Sequence, residues 1–156
     1  MRAVLQRVST GRVSVAGTVI GSIGVGYVIL LGIHHADTTQ EIDWLIQKVT
    51  TLRVFADADN RFNRSLQDVN GAVLLISQFT LYADCRRGRR PDFREAATPK
   101  QAQTLYDYAL SQFQAAGIHV ESGEFGAHMH VELANDGPVT LVLEKSFSEP
   151  REEAPC

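Results

Sequence analysis

The ten residues from Gly24 to Ile33, GVGYVILLGI, carry no charge and include five successive apolar side chains, Tyr27 to Leu31. A helix crossing a membrane needs roughly 20 such residues, so the run is too short to span one. An uncharged run of this length fits a strand buried on both faces, because alternate side chains on a strand point to opposite sides. A second run, Ala72-Val-Leu-Leu-Ile-Ser-Gln-Phe-Thr-Leu, follows the turn signal Asn70-Gly71 and reads the same way. Two strands that need cover on both faces call for more than one covering layer. The rest of the chain has to supply those layers.

The helices are legible from their period and their caps. Ile42, Leu45, Ile46, Val49 and Leu52 fall at helical spacing, and Thr38 with Glu41 three residues on makes a capping box, so a helix is predicted from Thr38 to Arg53. Thr98-Pro99-Lys-Gln101 supplies a cap, a proline at the first helical position and a capping glutamine. The helix it opens runs to about Ala116, closes at Gly117 and has Leu105, Ala109 and Phe113 on its apolar face. Strands are expected over Ala3–Val15, after the Ala16-Gly17 turn, and over His119–Phe125, Met129–Ala134 and Val139–Lys145. Asp57–Leu66 reads as a polar turn. The order strands, helix, strand, helix, strands gives a single mixed α/β domain over residues 1–147, without the regular βαβ rhythm of a doubly wound nucleotide binder. Residues 148–156 read as a polar tail.

Composition excludes several classes. At 156 residues, 44% hydrophobic, the chain can build a core without staples, and two cysteines, Cys85 and Cys156, are too few for a disulfide scaffold. A reducing, cytoplasmic setting is expected. The N-terminal segment carries Arg2, Arg7 and Arg12 and lacks the apolar run of a signal peptide. The net charge of −3 argues against a generally basic surface, but the window RRGRRPDFR holds Arg86, Arg87, Arg89, Arg90 and Arg94 against one acid, Asp92. That window carries +4 and the remaining chain −7, so an acidic body bears one arginine loop suited to binding an anion.

Three places carry possible chemistry. Ser77-Gln78-Phe79-Thr80 puts two hydroxyls and an amide at the end of an apolar strand, either as the strand turning into solvent or as the lining of a site. Neither hydroxyl sits in a Gly-x-Ser-x-Gly elbow, so donation of N–H groups to a carbonyl or oxyanion is the alternative role. Asn135-Asp136-Gly137-Pro138-Val139-Thr140 is rich in turn formers and reads as a connection between two strands. Its Gly-Pro step is also a place where a cis bond is affordable and would aim carbonyls in an unusual direction. Five histidines invite a metal, yet His34 and His35 would face opposite ways on an extended chain. No acid or cysteine stands beside them or beside His128 and His130 in sequence, so no metal or cofactor is expected. Gly21-Ser-Ile-Gly-Val-Gly lacks the Lys-Ser/Thr of a phosphate loop.

Taken together, MRAVLQRVSTGRVSV, VLLISQFTLYAD, RGRRPDFREAATP and NDGPVT resemble the D-aminoacyl-tRNA deacylase family, over nearly the whole chain. The resemblance implies a layered β/β/α deacylase-type fold with two main helices, working as a cytoplasmic homodimer. It also implies a tRNA-editing esterase that hydrolyses D-aminoacyl-tRNA, and glycyl-tRNA mischarged on the alanine tRNA, while rejecting L-aminoacyl-tRNA. On that basis Ser77, Gln78, Phe79 and Thr80 would line the pocket. Gly137 and Pro138, joined by a cis bond and inserted into the other subunit's site, would be the chiral filter, braced by Arg7. Arg86, Arg87, Arg89 and Arg90 are expected to contact tRNA. The family's chemistry leans on the ribose 2′-hydroxyl of the tRNA more than on a protein nucleophile. His34-His35 departs from the acidic or polar residues often found there, and the tail extends past the usual end. Two other readings stay open: a tRNA or nucleic-acid binding module without catalysis, and a conventional Ser/Thr hydrolase.

Overall fold

A long first strand organises the molecule. In the computed structural model, which describes residues 1–146, β1 (Arg2–Val15) pairs antiparallel along one edge with β8 (Met129–Glu144). Along its other edge the first half of β1 pairs with β3 (Gly26–Gly32) and the second half with β2 (Thr18–Ile23). The sheet continues through parallel pairs from β3 to β6 (Ala72–Ser77) and from β6 to β7 (Val120–Ser122). β2 also packs against β6 and β7, so the sheet curls on itself. The tail expected at residues 148–156 lies outside the described residues, as does Phe147.

The two uncharged runs of the sequence are β3 and β6, and each is buried from both sides. Tyr27, Ile29, Leu31, Val73 and Leu75 face the main core, while Val28, Leu74 and Ile76 enter a second, smaller core inside the curl with Val8, Val13 and Ile23. β3 can lie this close to its parallel neighbour because it begins with glycine: a Cβ on Gly26 would sit 1.9 Å from the Ala72 carbonyl oxygen.

The main core is covered by α1 (Thr39–Thr51) and α2 (Pro99–Ala115), packed against each other. α1 buries Ile42, Leu45, Ile46 and Val49, and its capping box is formed. Thr38 N–H donates to Glu41 Oε2 at 2.8 Å, and Gln40 N–H donates to Thr38 Oγ1 at 3.3 Å. α2 buries Leu105, Tyr106, Ala109 and Phe113, and the Tyr106 hydroxyl donates to the buried Leu75 carbonyl at 2.6 Å, fastening the helix to β6. Among the described residues no helix is long and apolar enough to cross a membrane.

Three local expectations are corrected. The strand through Ala72 stops at Ser77, and Phe79–Tyr82 is a 3-10 helix. The polar stretch after Asp57 contains half of a small hairpin, β4 (Phe55–Ala56) with β5 (Phe62–Arg64). The two strands expected either side of Asn135–Thr140 are one strand, β8, and the connecting turn is an irregularity within it.

Candidate active site

That irregularity is set by the register of β1 against β8. Gln6 faces Thr140 and Val8 faces Asn135, so Arg7 alone stands opposite the four residues Asp136 to Val139. The extra residues are pushed out of the ladder as a bulge. Asn135 closes its base, donating through Nδ2 to the carbonyls of Arg7 (2.9 Å) and Val139 (3.3 Å). Within the bulge the Gly137–Pro138 peptide is cis.

Arg7 holds the bulge from below. Its side chain is buried, with Nε donating to the Asp136 carbonyl at 3.1 Å and Nη2 to the Gly137 carbonyl at 3.3 Å. Nε also lies 3.0 Å from the Asp136 carboxylate, and Nη1 donates to the carbonyl of Val54. The guanidinium lies over the rings of Phe55 (5.9 Å) and Phe62 (5.3 Å), so the β4–β5 hairpin is the other wall of its socket. One planar cation thereby ties two main-chain carbonyls of the bulge to a neighbouring loop. A buried guanidinium with fixed donors suits this task better than a lysine.

The Ser77–Thr80 segment leaves the sheet at the other end of β3. Gln78 N–H continues the ladder to the Leu31 carbonyl at 2.8 Å, and the 3-10 helix then turns the chain outward. Phe79 and Thr80 occupy the first positions of that helix, whose leading amides have no acceptor within it. Both residues are exposed, and the Phe79 ring meets Phe93 edge-on at 5.1 Å. The Gln78 side-chain amide donates to Thr80 Oγ1. Neither Ser77 nor Thr80 has a histidine or carboxylate among its hydrogen-bond partners in the described residues, so the geometry offers amide donors and no activated hydroxyl.

Within one chain the two motifs do not meet. Ser77 is level with Leu31 and Ala3, whereas the bulge is level with Arg7, four residues further along β1, about 13 Å at the strand rise. β1 and β3 also lie between β8 and β6. The large cleft beside them, about 1740 Å³, begins at Tyr82 and is lined by Arg2, His34, Asp84, Arg86, Arg94 and Glu95 but by neither motif.

The arginine loop is a hairpin with two kinds of arginine. Asp84 and Asp92 exchange backbone hydrogen bonds across its neck (2.8 and 3.0 Å). Arg86 turns back onto Asp84 with Nε at 2.9 Å and Nη2 at 2.8 Å, and Arg94 likewise onto Asp92 at 2.6 Å. The hydrogen bonds from Arg86 hold the Asp84 carboxyl well below the usual carboxylate range. Arg87, Arg89 and Arg90 remain exposed at the tip around Gly88, whose φ of +70° makes the turn, and they have no carboxylate partner among the described residues. Of the four arginines expected to contact tRNA, three are therefore available to an anion and Arg86 is engaged with the fold.

The histidines do not follow the expectation for an extended chain. His34 and His35 stack, with ring centroids 4.0 Å apart, and both reach Glu95, at 3.0 and 3.9 Å. The hydrogen bond from His34 holds the Glu95 carboxyl below its ordinary pKa. The sequence gives no sign of this because Glu95 is sixty residues away. The pairing of the chain segments, His34 with Ala96 and His35 N–H with the Glu95 carbonyl, brings it there.

Fold and site define a small mixed-sheet α/β protein in which the buried Arg7 holds main-chain carbonyls in place and in which Ser77 and Thr80 belong to no side-chain triad among the described residues. The family model described as D-Tyr-tRNA(Tyr) deacylase matches residues 4–144. A D-aminoacyl-tRNA deacylase of Symbiobacterium thermophilum is 54% identical over 149 residues, covering 94% of this chain and 99% of that protein. One from Thermus aquaticus is 53% identical over 146 residues, covering 94% and 96%. The chain belongs to the D-aminoacyl-tRNA deacylase family, a family of hydrolases. A solved structure described as a c-Myc DNA unwinding element binding protein is 38% identical with a TM-score of 0.88, covering 94% of this chain and 100% of that one. Another, a probable eukaryotic D-amino acid tRNA deacylase, has a TM-score of 0.81 at 17% identity over 91% and 97%, a likeness of fold.

Proposed function

We propose that the protein is a cytoplasmic homodimeric editing enzyme that hydrolyses the ester of D-aminoacyl-tRNA and spares L-aminoacyl-tRNA. The observation that carries this reading is the braced bulge: Arg7 fixes the carbonyls of Asp136 and Gly137 from a buried position. A pocket that merely fits one substituent better gains about 1–3 kcal/mol, or 10- to 200-fold, too little when correct L-aminoacyl-tRNA is in large excess. A rigid main-chain wall instead rejects the wrong hand on steric grounds, whatever the side chain. Such a wall has nothing to reject in glycine, so glycyl-tRNA mischarged on the alanine tRNA is a second substrate.

In this reading Gly137 and Pro138 of one subunit enter the site of the other, beside Ser77, Gln78, Phe79 and Thr80. The separation of the two motifs within one chain supports it, as does the open space around Gly137, where an added Cβ would meet nothing within 4 Å. The amides at the start of the 3-10 helix stabilise the developing oxyanion, and the ribose 2′-hydroxyl of the tRNA supplies the attacking chemistry. Arg87, Arg89 and Arg90 hold phosphates near the acceptor end. The test is deacylation of D-Tyr-tRNA and L-Tyr-tRNA by purified protein. Hydrolysis of the D form alone is expected; equal turnover of both would refute the chiral filter, and turnover of neither with binding unaffected by acylation would leave a nucleic-acid binding module instead.

A further inference from the structure

We propose that His34, His35 and Glu95 form a binding site for a divalent transition-metal ion of the zinc class, at the margin of the cleft beside Tyr82. Their donor atoms, one nitrogen from each ring and one carboxylate oxygen, all lie within 4.8 Å of one another. Ligands at 2.0–2.1 Å around a tetrahedral ion stand about 3.4 Å apart. The distances to Glu95 Oε2, 3.0 Å from His34 Nε2 and 3.9 Å from His35 Nε2, bracket that value. Two imidazoles and a carboxylate form a donor set suited to zinc and its neighbours, and poor for magnesium or calcium, which take oxygen.

The main chain prepares the site. Besides the pairing of His34 with Ala96, Ala97 N–H donates to the Ile33 carbonyl at 2.9 Å, and Gln101 Nε2 donates to the His35 carbonyl at 2.9 Å. The His34 ring rests on Tyr82, centroid to centroid 5.3 Å. Without an ion, His34 Nδ1 accepts the Ala36 N–H at 3.1 Å, which puts the ring proton on Nε2, where it is donated to Glu95. An ion displaces that proton to Nδ1 and releases the Ala36 amide, which lies near the surface and can turn to water. Bound there, the ion clamps the segment that follows β3 to the turn that follows the arginine hairpin, next to the 3-10 helix carrying Phe79 and Thr80. The site is separate from the reacting groups and takes no part in ester hydrolysis.

The test titrates the full chain with Co2+, whose visible absorption reports a tetrahedral nitrogen-containing site, and then displaces it with Zn2+. One ion per chain is expected, with a rise in melting temperature on adding Zn2+. His35→Ala and Glu95→Gln alter exposed side chains and are expected to melt like the parent in the absence of metal. Each should weaken the Co2+ dissociation constant at least tenfold. His128→Ala with His130→Ala serves as the control and should leave it unchanged. No visible band at one equivalent, binding that survives both Glu95→Gln and His35→Ala, or binding lost in the His128/His130 control would each overturn the proposal.

Discussion

Replacing Arg7 by lysine keeps the charge and removes the geometry. Arg7 donates to three main-chain carbonyls, those of Asp136, Gly137 and Val54, from a side chain that is 7% exposed. A lysine nitrogen at the same depth cannot serve all three, because its donors radiate from one point while those of the guanidinium are spread along a plane. At least two charge-assisted bonds are lost, at roughly 1.5–3 kcal/mol each. The Asp136 carboxylate is 56% exposed, so its ion pair counts for little and water can serve its carbonyl. Discounted in this way, the loss comes to about 2–4 kcal/mol, which for a chain of this length lowers the melting temperature by roughly 5–15 °C. If the bulge is the chiral wall, loosening it has a second consequence. D-Tyr-tRNA deacylation should fall tenfold or more, and hydrolysis of L-Tyr-tRNA should rise relative to it. Calorimetry and parallel single-turnover assays on the two esters measure both. A full loss of stability with the D-to-L ratio unchanged would show that Arg7 only holds the fold. An unchanged melting temperature would show that its three bonds carry no weight.

The other expectations are briefer. Gly137→Ala meets open space within the chain, so stability should stay within about 0.5 kcal/mol while D-aminoacyl-tRNA hydrolysis drops steeply; retained activity would mean that Gly137 does not face substrate. Ser77→Ala and Thr80→Ala should each keep substantial activity, because no base contacts either hydroxyl, and abolition by either change would restore a protein nucleophile. Removing Arg87, Arg89 and Arg90 together should flatten the log–log salt dependence of tRNA binding by up to roughly 0.7 × 3, about 2. Arg94→Ala, whose side chain is paired with Asp92, should change it less. Glu41 is pushed up by burial but pulled further down by the Thr38 amide and hydroxyl, so its folded pKa lies below its unfolded one. Asp57 and Asp68 are also lowered, chiefly by backbone N–H groups, of Arg61 and Ser65 respectively. Their contribution to stability is complete above the ordinary carboxylate pKa of about 4 and is lost as pH falls through the lower folded values. A melting temperature unchanged from pH 7 to pH 3 would contradict this.

What the sequence makes legible here is what depends on periodicity and local chemistry. β3 and β6 are uncharged because each faces two cores, and α1 is announced by Thr38 and Glu41, whose capping box forms as read. The features that escape a sequence reading depend on register. Asp136 to Val139 look like a turn because their composition is that of a turn. Only the pairing of Gln6 with Thr140 and Val8 with Asn135 turns them into a bulge on one continuous strand. Arg7 could be assigned to the Gly-Pro segment by resemblance, but its hold on Val54 and its contact with Phe62 come from a hairpin that reads as polar loop. Arg86 and Arg94 are a different case: each follows an aspartate by two residues, a local signal that the composition of the loop hides, and each turns back onto it.

The same contrast bears on how a site of this kind works. A filter built from carbonyls has no side chain of its own to conserve its position, so its accuracy rests on whatever fixes the backbone. In the proposed filter that is one guanidinium in a socket of Asp136, Gly137, Val54, Phe55 and Phe62, together with the Asn135 amide across the base. Rigidity on one chain is useful to a substrate only where the pocket lies, and Ser77–Thr80 is some four residues along with two strands between. If both motifs act on one aminoacyl group, the wall must come from a second copy. Discrimination then depends on assembly: dilution below the dimer's dissociation constant should abolish D-ester hydrolysis before any secondary structure is lost. Activity per chain that stays constant through the monomer range would place wall and pocket on different substrates.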